Sequence, residues 1–175
     1  MPLREEWIAK HGDGRFGIID EGQKPWVSLN CKKRLNVINQ LLTLHKKTYT
    51  ETDENNRSFV VEIYTKLRET WEHCIEEILF AGVIGRFRPE VQTLKLRAAR
   101  IEEEDYQVVL VGMTRCSKFS GHDQSLETPP DLPKFADILV DIESLTKFVK
   151  ESSLRHDQLE KAGKQSEAPL EAEVM

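Results

Sequence analysis

The chain has 175 residues and sets 25 Lys+Arg against 30 Asp+Glu, a formal net charge of −5. With 39% hydrophobic and 31% charged residues and a mean hydropathy of −0.50, it is polar but foldable, the size of one domain with its own core. The acidic balance argues against nucleic acid coating the whole surface, and seven prolines with nine glycines exclude collagen-like or low-complexity structure.

Residues 1–29 read as an irregular N-terminal arm. Gly12-Asp13-Gly14 and Gly17 interrupt any periodicity, and Gln23-Lys24-Pro25-Trp26 looks like a docking segment in which Trp26 anchors the arm on the helices behind it. The opening Met1-Pro2-Leu3-Arg4-Glu5-Glu6 carries acid where a signal peptide needs apolar residues. No apolar run approaches the ~20 residues needed to cross a bilayer. A cytoplasmic protein without a membrane partner is the expectation.

A helical domain is expected over 30–158. Its first helix, about 29–48, repeats Leu35, Val37, Ile38, Leu41, Leu42 and His45 at three- and four-residue steps. The strongest helix, about 53–81, is capped by Asp53 or Thr52 and carries Phe59, Ile63, Leu67, Trp71, Ile75 and Leu79 at strict four-residue steps. Val60, Tyr64, Cys74 and Ile78 back that stripe, and Ala81 to Gly85 ends or bends the helix before a turn at Arg86-Phe87-Arg88-Pro89.

After a connector, a third helix over about 102–119 is expected to bury Tyr106, Val109, Leu110, Met113 and Cys116. A loop follows through Pro130. Asp131 and Pro133 then start the last helix, about 132–157, with Phe135, Ile138, Leu139, Ile142, Leu145, Phe148 and Val149 as its apolar face. Residues 159–175 read as a disordered tail. The fold class is all-α, a bundle of about four helices, and Leu67, Trp71, Ile75 and Leu79 should meet Ile138, Ile142, Leu145 and Val149 in one core.

The chemistry is narrower. There is no phosphate-cradling G-x-x-x-x-G-K-[ST] and no strand ending in Asp-Glu, so the chain is not a complete nucleotide hydrolase. Cys31, Cys74 and Cys116 lie far apart in sequence with no C-x-x-C and no histidine at ligand spacing, so neither a metal site nor a disulfide framework is expected. No cofactor is expected either.

Arg68 and Glu72, one turn apart beside Trp71, read either as an ordinary ion pair or as a phosphate-binding and proton-orienting pair. Arg115, with His122 seven positions later, either holds one phosphodiester between guanidinium and imidazole or is unrelated to it, the histidine merely closing a helix end beside Asp123. His11, His45, His73 and His156 read as surface or helix-face residues. Arg86, Arg88, Lys95, Arg97 and Arg100 concentrate positive charge around the connector, as a solvated face or as a local nucleic-acid contact.

Several segments together resemble a known family. They are Tyr64-Thr65-Lys66-Leu67-Arg68-Glu69-Thr70-Trp71-Glu72, Glu76 to Leu79, Val83-Ile84-Gly85-Arg86-Phe87-Arg88 and Val91-Gln92-Thr93 with Leu96. Met113-Thr114-Arg115-Cys116-Ser117, Gly121-His122-Asp123-Gln124 and Asp141-Ile142-Glu143 with Leu145 and Phe148 continue the pattern. They resemble the far C-terminal region of large bacterial AAA ATPases of SMC-like and RecN-like architecture, which carry ABC-type heads and coiled-coil inserts. The likeness covers most of residues 20–150 and departs from the family by lacking the head.

What the resemblance implies is an accessory or effector region for nucleic-acid processing or phage defence, without ATPase activity of its own. An ATPase head in the same or a neighbouring polypeptide is the implied partner, with RNA or DNA and a second copy of the chain as further candidates. Relatives of this group, the anticodon nucleases, look like HEPN-type ribonucleases that need no metal and use an arginine, a glutamate one turn later and a distant histidine. Arg68, Glu72 and His122 match those roles, and Arg115 to His122 matches the loose R-x6-H form of the motif.

Overall fold

The computed structural model describes residues 7–9, 18–20, 24–85, 89–120 and 129–167. Two three-residue strands pair in the arm: β1 (Trp7–Ala9) runs antiparallel to β2 (Ile18–Asp20), with Ile8 opposite Ile19. The other elements among the described residues are helices, and four long ones surround one core, as the stripes require.

The first helix, α1, spans Cys31–His45, and the Asn30 side chain caps it by accepting the Lys33 N–H at 3.0 Å. It is shorter than its periodicity suggested. Tyr49, beyond its end, turns inward instead, with its ring 5.7 Å from both Phe59 and Phe135 and its hydroxyl donating to the Pro133 carbonyl.

Asp53 caps the next element by accepting the Asn55 N–H at 3.0 Å, and a short 3-10 turn leads into α2 (Arg57–Cys74). The expected run to residue 81 is not one uniform α-helix. From Ile75 to Leu79 the chain widens into a π-helical turn, with the Phe80 N–H donating to the Ile75 carbonyl at 2.9 Å. The added residue lets both Ile78 and Leu79 face the core. Ala81 and Gly82, at φ 53° and 62°, then stop the helix in the left-handed region.

A short 3-10 helix, Thr93–Ala98, crosses the connector before α3 (Glu103–Phe119). Glu102 and Asp105 form a reciprocal cap at the start of α3, and Arg155 grips Asp105 at 2.6 Å from the last helix. The face expected to be buried is partly wrong: Tyr106 and Leu110 are 54% and 45% exposed. The contact stripe instead runs Asp105, Val109, Gly112, Cys116 and Phe119, with Met113 at its edge. Tyr106 and Leu110 are each one residue past a member of that stripe, about 100° round the helix from it.

The last helix, α4, spans Phe135–Glu167. It continues about ten residues beyond the expected end because Lys161, Ala162, Lys164, Gln165 and Glu167 are good helix formers. Residues 168–175 of the expected tail lie outside the described residues. Ile138, Ile142, Leu145, Phe148 and Val149 are buried, whereas Leu139 is exposed. They share one core with Leu67, Trp71 and Leu79, Ile75 packs against it from the side, and the Trp71 and Phe148 rings lie 5.1 Å apart. No helix among the described residues is long and apolar enough to cross a membrane.

Candidate functional site

Trp26 anchors the arm as expected, through a cluster the sequence did not announce. The Arg34 guanidinium and the Lys66 ammonium lie 4.9 and 4.7 Å from its ring centroid, and its indole N–H donates to Glu69. Arg34 is itself buried, donating to the carbonyls of Leu29 and Glu69 at 2.9 Å and of Val27 at 3.2 Å. A cation at α1 thus ties the arm to α2.

This arrangement leaves a cavity of about 640 Å³ between the arm, the second half of α2 and the π-helical turn. Arg68 and Glu72 line it, with His73, Lys95 and His156. The Arg68 Nε–Glu72 Oε1 distance is 3.3 Å, and Arg68 Nη1 also donates to Ser117 Oγ at 3.4 Å. His156 Nε2 is buried and has no hydrogen-bond partner among the described residues. His73 and His156 are therefore cavity residues rather than plain helix-face histidines.

Arg115 does not join the pair at this cavity. It binds Asp141 through Nε and Nη2 at 2.9–3.2 Å, and Asp141 also accepts the Tyr64 hydroxyl at 2.6 Å. Burial, with the Asp141 carboxylate beside it, holds the Tyr64 hydroxyl above its ordinary pKa, and the bonds to Asp141 raise that of Arg115. Neighbouring Cys116 is pushed up to about 12 by burial, with Asp141 adding to it.

His122 lies outside the described residues, as do Arg86 and Arg88. Lys95 faces the cavity, Arg97 sits on an exposed part of the connector, and Arg100 pairs with Glu102 at 3.1 Å.

The fold brings two of the cysteines together. Cys31 and Cys74, 43 positions apart, meet with their sulfurs 3.0 Å apart and both side chains buried. His73 Nε2 lies 3.1 Å from Glu77 Oε2, which also accepts the Cys31 backbone N–H at 2.9 Å. Burial opposes the Glu77 charge, but the bonds from His73 and Cys31 outweigh it and hold the carboxyl below its ordinary pKa. Contact with Cys74, then burial, raises that of the Cys31 thiol. The only local signal was His73 and Glu77 at i,i+4, since Cys31 arrives from another helix.

Compared with known proteins, the chain matches no family model, no curated protein and no solved structure.

Proposed function

We propose that the chain is the helical accessory region of an SMC-like ATPase, acting in nucleic-acid processing or phage defence and dependent on a separate head for nucleotide hydrolysis. One observation supports this reading: residues from separate segments of the resemblance meet in polar contacts. Tyr64 and Arg115 both bind Asp141, while Arg68 reaches Ser117. Segments that carry one function in a family are expected to pack against one another.

Recovery of the tagged chain from its host tests the proposal. An ABC-type ATPase head, on the same or another polypeptide, should co-purify, and the isolated chain should bind no ATP. Micromolar ATP affinity in the isolated chain, or recovery without any such head, overturns it.

A second reading rests on the cavity, which Arg68 and Glu72 line together with Lys95. In a ribonuclease of the HEPN type, Arg68 holds the phosphate, Glu72 orients the proton transfer and His122 exchanges the proton with the RNA 2′-hydroxyl. Arg115, held by Asp141, then positions the wall rather than the substrate. Cleavage of a tRNA mixture without magnesium is expected, with a rate that depends on pH near neutrality and falls in His122→Ala and Glu72→Gln. An inactive wild type, or equal activity in all three, removes this reading.

A further inference from the structure

Three side chains with different donor atoms meet beside the cavity, two of them lining it. Cys31 Sγ, a ring nitrogen of His73 and a carboxylate oxygen of Glu77 all lie within 4.8 Å of one another. His73 lies at the end of α2 and Glu77 in the π-helical turn that follows, their side chains 3.1 Å apart, and Cys31 is the first residue of α1. We propose that Cys31, His73 and Glu77 form a binding site for one divalent transition-metal ion, with zinc as the expected ion.

The donor set selects the ion. Thiolate, imidazole and carboxylate together suit zinc, whereas magnesium and calcium take oxygen donors. Zinc bonds of about 2.0–2.3 Å place tetrahedral ligands roughly 3.3–3.8 Å apart. The His73–Glu77 separation of 3.1 Å is already near that value, and the remaining donors need to close by only about an ångström.

The surroundings hold the ligands in place. The Cys31 amide donates to Glu77 Oε2 at 2.9 Å, tying the carboxylate beside the sulfur before any ion enters. The Cys74 sulfur stands 3.0 Å from that of Cys31, a neighbour able to donate to a bound thiolate. His73 and Glu77 both line the cavity, so an entering ion can reach them from that side. Three protein ligands and one open position are the pattern of a zinc that takes water or substrate. This site uses other side chains than Arg68 and Glu72, although it opens on the same cavity.

The alternative for the same sulfurs is a Cys31–Cys74 disulfide, and one experiment separates the two. The full chain, kept reduced with a phosphine, is titrated with cobalt(II) and then with zinc. One cobalt per chain should bind with a thiolate-to-cobalt charge-transfer absorption that zinc displaces. That absorption should vanish in Cys31→Ser and persist in Cys74→Ser.

Loss of an outer partner alone costs about 10–100-fold in metal affinity, so His73→Ala and Glu77→Gln should weaken cobalt at least that much. Glu77→Gln conserves shape at the cavity wall and reports on the site even if Cys31→Ser fails to fold. No charge-transfer band in the reduced chain, a band that survives Cys31→Ser, or unchanged affinity in Glu77→Gln overturns the proposal. So does a chain whose two sulfurs oxidise to a disulfide and which takes up no metal after reduction.

Discussion

The indole of Trp71 lies directly against the backbone of Gly112: a Cβ at position 112 would stand 2.5 Å from Trp71 Cε2. Alanine in an exposed helix interior gains about 1 kcal/mol over glycine. At 112 the sign should reverse, because overpacking beside a fully buried ring costs about 1–3 kcal/mol. Gly112→Ala should therefore lower the urea midpoint, and Trp71→Phe in the same chain should recover part of the loss. Trp71→Ala should cost about 3–5 kcal/mol.

Asp141 is the shared acceptor for Arg115 and Tyr64, with its side chain 16% exposed against 40% for Arg115. Asp141→Asn should destabilise by about 1–3 kcal/mol, since a charged acceptor of two donors is lost inside the bundle. Arg115→Ala should cost less, about 1 kcal/mol or below, because solvent screens the outer partner. A double-mutant cycle in chemical denaturation should show coupling between Tyr64→Phe and Asp141→Asn.

Arg34 should matter more than any exposed cation. Replacing it with methionine keeps the apolar stem but strands the carbonyls of Val27, Leu29 and Glu69, a loss of about 1–3 kcal/mol. The arm should loosen first. Limited chymotrypsin digestion should then cut after Trp26 faster than in wild type, before the helical bundle is attacked.

Stability should fall in alkali. Cys116, ordinarily titrating near 9, is held up to about 12 in the folded chain, and Tyr64 is raised in the same direction. Above about pH 9 the unfolded chain gives up protons that the folded chain keeps, so each step in pH favours unfolding until the folded groups titrate. The contribution is whole below pH 9 and is lost as pH rises toward 12. Cys116→Ala should flatten the decline in melting temperature between those limits, which thermal scans at stepped pH would measure.

The long helices were legible because their signal is local. Phe59 to Leu79 and Phe135 to Val149 repeat at the helical period, and Asp53 at the start of the α2 segment is a local cap. Arg68 and Glu72 were legible as a pair for the same reason, being one turn apart. What those patterns could not contain is rotation and register between helices. The face of α3 was set by how closely Gly112 lets it approach Trp71, which left Tyr106 and Leu110 outside. The burial of Arg34 depends on three carbonyls from two other segments, and Cys31 meets Cys74, His73 and Glu77 only because α1 begins against the end of α2. Periodicity reports which side of a helix is apolar. Only tertiary packing brings donors more than forty residues apart within a few ångströms, because that distance is set by helix crossing and loop closure rather than by spacing along the chain.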